Sequence, residues 1–73
     1  MNNAHTSKYE PLWQWIIKNE TDSFILSFSD IESITGFKLD HSFLNYKKEL
    51  SDYGFIVRKI SLKEKKVFFE KIN

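Results

Sequence analysis

The chain has no cysteine among its 73 residues, which removes disulfides, thiolate zinc sites and thiol chemistry together and suits a reducing compartment. Glycine occurs twice and proline once, too rarely for a linker-rich or low-complexity chain. No apolar run approaches the ~18 residues of a membrane span, and the polar opening Met1 to Ser7 lacks the apolar centre of a signal peptide. The expectation is a cytoplasmic protein with no membrane partner. Catalytic patterns are missing as well. His5 and His41 each stand alone, with neither paired carboxylates nor metal-ligand spacing around them, so no enzyme, metal or cofactor is expected.

Aromatic residues are plentiful: seven Phe, three Tyr and two Trp. A chain this short buries only about 60% of the surface its unfolded form exposes, so these large side chains must supply most of one small core. Residues 1–7 are expected to form a flexible tail and residues 8–73 one domain.

The net charge of +1 gives no general attraction to nucleic acid, but its distribution is uneven. Residues 1–40 hold three lysines against six carboxylates, a net of −3; residues 54–73 hold Arg58 and five lysines against Glu64 and Glu70, a net of +4. The basic charge gathers towards the C-terminal end.

Tyr9, Leu12, Trp13, Ile16 and Ile17 recur at helical spacing up to about Asn19, with Pro11 tolerated in the first turn and Ser7 and Glu10 spaced as a capping box. Trp15 lies off that stripe, either covered by a neighbouring segment or facing a partner. "DSFILSF" reads as a brief strand. Ser29 and Glu32 then have the spacing of a second capping box, starting a helix with Ile31 and Ile34 inward, and Gly36 ends it. Asp40 is a suitable N-cap for a third helix, with Phe43, Tyr46 and Leu50 inward, Leu39 just before it and Leu44 on its flank. Tyr53-Gly54 closes that helix. From Phe55 the apolar period shortens, and "FIVRKISL" and "KVFFEKI" pair as an antiparallel hairpin across residues 63–65. Simple alternation puts Phe55 and Val57 on one face and Ile56, Ile60 and Leu62 on the other.

The predicted class is α+β: helix, short strand, helix, turn, helix, C-terminal β-hairpin, the order of a winged helix-turn-helix. The chain resembles that broad class. It also resembles, more narrowly, a small bacterial domain family of no established activity. The resemblance rests on Tyr9 and Leu12, "SFSDIESITGFKL", Tyr46, and Gly54-Phe55 with Val57, Val67 and Phe69, and spans roughly residues 8 to 71. After Tyr46 the family pattern has tryptophans and a longer insert where this chain has "KKELSD". The resemblance implies the fold and a tilt towards DNA.

On that fold the outward strip of the third helix is His41, Ser42, Asn45 and Lys48, groups able to meet base edges or phosphates. Glu49 and Asp52 continue the strip with the wrong sign. Lys63, Lys65 and Lys66 at the hairpin tip, with Arg58 and Lys59 on its first strand, form a basic wing for the backbone of double-stranded DNA. Lysines in such a place also serve simply to prevent edge-to-edge strand pairing. The first expectation is thus a small non-enzymatic DNA-binding protein, a transcriptional regulator in type. The alternative is a protein–protein interaction module on the same fold, regulating or inhibiting a larger partner or forming a homodimer, through Trp15 and Phe68.

Overall fold

Helix α1 (Glu10–Asn19) begins at Tyr9, with Pro11 in its first turn where no intrahelical N–H is required. The structure, a computed structural model, describes residues 7–72. The expected tail therefore lies, apart from Ser7, outside the described residues, as do His5 and Asn73. The capping box expected of Ser7 and Glu10 does not form. Ser7 Oγ accepts from the Tyr9 N–H at 3.3 Å, while the Glu10 carboxylate accepts the Tyr53 hydroxyl at 3.0 and 2.9 Å and the Gln14 amide at 2.7 Å.

Strand β1 (Phe24–Ser27) runs directly into helix α2 (Phe28–Thr35). The cap of α2 is a capping box made by Ser27 and Asp30, two residues earlier than Ser29 and Glu32. Ser27 Oγ accepts from the Asp30 N–H at 3.0 Å, and the Asp30 carboxylate accepts from the Ser27 N–H at 3.2 Å. The reason is tertiary. Ser27 is the last β1 residue paired to the sheet, and the Phe28 N–H donates to the Lys65 carbonyl at 2.9 Å. The strand is thus held to residue 27 and the helix must start there. Glu32, released from capping, accepts the Leu39 N–H at 3.3 Å. Gly36 ends α2 in the left-handed region at φ 88°, where other residues are strained.

The third helix is shorter in its α-helical part than the pattern suggests. Helix α3 covers Phe43–Tyr46 and tightens at once into a 3₁₀ helix over Lys47–Tyr53. Asp40 does not cap the helix as expected: the residue before α3 is Ser42, with no side-chain capping bond, and Asp40 accepts from the Ser42 N–H at 2.9 Å and from its hydroxyl in the turn that leads into it. Gly54, at φ 89°, turns the chain into β2 (Phe55–Ser61), and the turn 62–65 leads to β3 (Lys66–Lys71).

The three strands form one antiparallel sheet in the order β1-β3-β2, the last strand in sequence lying in the middle. Phe24 and Leu26 pair with Phe69 and Val67, and these face the helices. Simple alternation fails on β2. A bulge between Val57 and Lys59 inserts Arg58 and resets the side-chain direction, so that Ile60, opposite Val67, packs on the core with Phe55 and Val57.

Tyr9, Leu12, Trp13, Ile16, Ile31, Phe43 and Leu50 from the helices meet Leu26, Phe55, Val67 and Phe69 from the sheet in one core. Ile34 and Leu39, expected inside, are half-buried at its edge. Tyr9 is the hub on the helical side. Its ring lies 5.3–5.9 Å from those of Trp13, Phe37, Phe43 and Tyr46. Phe24 stacks on Phe69 at 4.7 Å on the sheet side.

Candidate functional site

The residues singled out from the sequence divide between two faces. His41, exposed at the start of α3, lines a groove with Leu44 of the same helix and with Ile60 and Leu62 of the hairpin. Asn45 and Lys48 are exposed further along the helical segment, and Ser42 is half-buried, its hydroxyl engaged by Asp40. Lys63 and Lys65 lie in the hairpin turn, with Lys66 exposed at the first position of β3.

Arg58 and Lys59 belong elsewhere. Both are exposed, and Arg58 shares the outer face of the sheet with Ile25 and Phe68 around a shallow cavity of about 380 Å³. Lys59 pairs with Phe68 and holds its ammonium 5.4 Å from the ring centroid, covering a half-buried Phe68. The expected single basic wing is therefore divided: the turn lysines belong to one end of the domain and the β2 cations to the sheet's outer face. Lys66 alternates with the buried Val67 and so sides with Phe68. Trp15 is half-buried and packs against the core, covered as a structural residue would be.

The acidic interruption anticipated at Glu49 is absent. Its carboxylate turns towards α1 and accepts the buried indole N–H of Trp13 at 3.1 Å. Asp52, further along, is exposed as expected, and hydrocarbon adjoins the strip as well. The groove between α3 and the hairpin has a volume of about 550 Å³, with Phe28, Leu39, Phe43 and Ile60 as apolar lining and Asp40 and His41 at its polar side. Leu44 and Leu62 flank it and are 53% and 78% exposed. Sequence reading missed this groove. The available signals were Leu44 beside an otherwise polar strip and Leu62 at the start of a polar turn.

The hairpin tip projects little beyond the sheet. Ser27 pairs with Lys66, and the Phe28 N–H reaches the Lys65 carbonyl, leaving only the turn 62–65 outside the ladder. That turn carries Lys65 at φ 57°, a left-handed conformation without glycine. The Ser61 hydroxyl steadies it by accepting the Glu64 N–H at 3.1 Å.

Two ionisable groups are displaced from their ordinary ranges. The Ser42 hydroxyl and N–H, with Lys8 3.4 Å away, hold the Asp40 carboxyl below the usual carboxylate range, so a fixed negative charge sits beside the groove. Burial, and the Glu10 carboxylate that accepts its hydroxyl, push the Tyr53 phenol up. Among the described residues no three His, Asp or Glu side chains gather as a metal site, and no helix is long and apolar enough to cross a membrane. No family model matches the chain, and no curated protein or solved structure shows significant similarity to it.

Proposed function

We propose that this chain is a winged-helix domain that binds a segment of another protein in the groove between α3 and the hairpin. The winged-helix reading is supported by the element order and by the sheet order β1-β3-β2, in which the hairpin strand β3 joins the early strand β1. The observation that carries the binding reading is the exposure of Leu44 and Leu62 on either side of an apolar groove. Full burial of such a side chain is worth roughly 1.5–3 kcal/mol, and a covering apolar partner recovers the share that their exposure leaves in water. Phosphates recover none of it.

A second reading, binding to duplex DNA, is favoured by the exposure of His41, Asn45 and Lys48 together with the turn lysines. The absence of arginine from α3, its four-residue α-helical length and the short wing weigh against it. Fluorescence anisotropy with labelled duplexes over a salt series separates the two. A DNA reader binds at ~50 mM salt; Lys65→Ala lowers its salt slope by about 1, and Asn45→Ala costs roughly 1–3 kcal/mol on the preferred sequence only. On the proposed function, duplexes show no saturable binding, and Leu62→Ser leaves the fold intact while abolishing capture of the protein partner.

A further inference from the structure

We infer a second binding site, independent of what fills the groove: the outer face of the sheet takes a single-stranded nucleic acid, with phosphates on Arg58, Lys59 and Lys66 and a base on Phe68. The cavity on that face shares no lining residue with the groove. Strand register brings its side chains together. Phe68 is on the central strand, with Ile25 opposite it on β1 and Lys59 opposite it on β2. The bulge sets Arg58 beside Lys59, so β2 delivers two cations to this face where regular alternation delivers one. Arg58 lines the cavity with Ile25 and Phe68, and Lys66 lies two residues from Phe68 on the same side of β3.

The charge on this face selects an anion. All three cations are exposed, and the ion pair among the described residues is Lys8 with Asp40, so no carboxylate neutralises them at contact distance. Glu70 also lines the cavity. It lies two residues beyond Phe68 on β3, at the other end from Lys66, and leaves three cations against one carboxylate. The Arg58 guanidinium can take a phosphate through two parallel hydrogen bonds.

The aromatic ring selects which anion. Lys59 is exposed and holds its ammonium 5.4 Å from the Phe68 centroid, so one face of that half-buried ring is turned outward beneath a side chain able to swing aside. A base stacks in its place, and the displaced ammonium meets the phosphate beside that base. Ile25, 52% exposed, extends the apolar floor on the other side of the ring. A duplex keeps its bases stacked inside and offers this face phosphate and sugar alone. An acidic peptide matches the charge, but its carboxylates give Phe68 no planar partner.

The test is fluorescence anisotropy of the whole chain with labelled strands of ~12 nucleotides, starting at ~50 mM salt. The probes are a single strand, made as DNA and as RNA to tell the two apart, an abasic strand of equal charge, and a duplex; polyglutamate and phosphatidylserine vesicles serve as competitors. At least one single strand is expected to bind about tenfold or more tighter than the abasic strand and the duplex. Arg58→Ala and Lys66→Ala should each lower its salt slope by about 0.7. Phe68→Leu, which keeps the apolar bulk and removes the ring, should bring its affinity down to that of the abasic strand. Circular dichroism checks that the variants remain folded, and the two exposed cation variants carry the test if Phe68→Leu does not fold. Equal binding of abasic and base-bearing strands overturns the nucleic-acid class, as does stronger binding of polyglutamate or of the vesicles. Binding that Leu62→Ser abolishes and Arg58→Ala with Lys66→Ala leaves intact overturns the site. No binding at ~50 mM salt overturns the inference altogether.

Discussion

Trp13 donates its indole N–H to Glu49 at 3.1 Å, and the tryptophan that does so has no exposed surface. The bond joins α1 to the 3₁₀ helix from the inside. Replacing Glu49 with Ala leaves a buried donor without a partner and should cost about 1–3 kcal/mol, whereas Glu49→Gln keeps an acceptor and should lose less. Urea unfolding followed by tryptophan fluorescence measures both. Equal midpoints for wild type and Glu49→Ala would show that the bond contributes nothing.

Phe43 packs against two of the helical aromatics, 5.3 Å from Tyr9 and 6.2 Å from Trp13 by ring centroids, and it is nearly fully buried. Phe43→Ala should cost roughly 3–5 kcal/mol, a large share of the stability of so small a domain. Loss of the cooperative thermal transition is the expected result, and an unchanged Tm contradicts the packing described.

Tyr53 makes stability depend on pH at the alkaline end. Its folded pKa is raised by burial and by Glu10, so the folded state holds the phenolic proton more tightly than the unfolded chain does. The associated stability is fully present below the unfolded value of about 10 and is lost as pH rises through the folded one. Urea midpoints compared between pH 8 and pH 11 should fall more steeply for wild type than for Tyr53→Phe, which has no proton to lose. Parallel profiles would dissociate Tyr53 from the alkaline loss.

Much of the core was legible because helical spacing is a local property. Leu12, Ile16, Ile31, Phe43 and Leu50 lie on the inward stripes that their spacing indicates, and all are buried. Features set by distant partners were not legible. The bulge at Arg58 exists only in register with β3, so alternation assigned Ile60 to the wrong face. "SFSD" and "SDIE" offer two overlapping capping frames, and pairing of Ser27 with Lys66, 39 positions further on in sequence, selects the first. Glu49 was assigned to solvent for the same reason: nothing near it in sequence announces that the Trp13 indole lies behind it. At the candidate site, spacing identified the exposed strip. It did not indicate that Leu44 and Leu62 stand on either side of one groove, which depends on how the hairpin folds back.

The order β1-β3-β2 also constrains when this domain can form during synthesis. Phe24 to Ser27 leave the ribosome before their partner strand, which among the described residues spans Lys66–Lys71. Until those residues clear the exit tunnel, β1 has no ladder, Phe24 has no Phe69 to stack on, and the Phe28 N–H lacks its Lys65 acceptor. The β2–β3 hairpin is local and can close within about 1–10 μs of emerging. Docking of β1 follows, since it must bridge the whole helical segment and bears the loop-closure entropy that the hairpin avoids. A nascent chain stalled before Lys66 is thus a set of helices with two unpaired apolar strands, β1 and β2, and its sheet forms only once β3 has emerged.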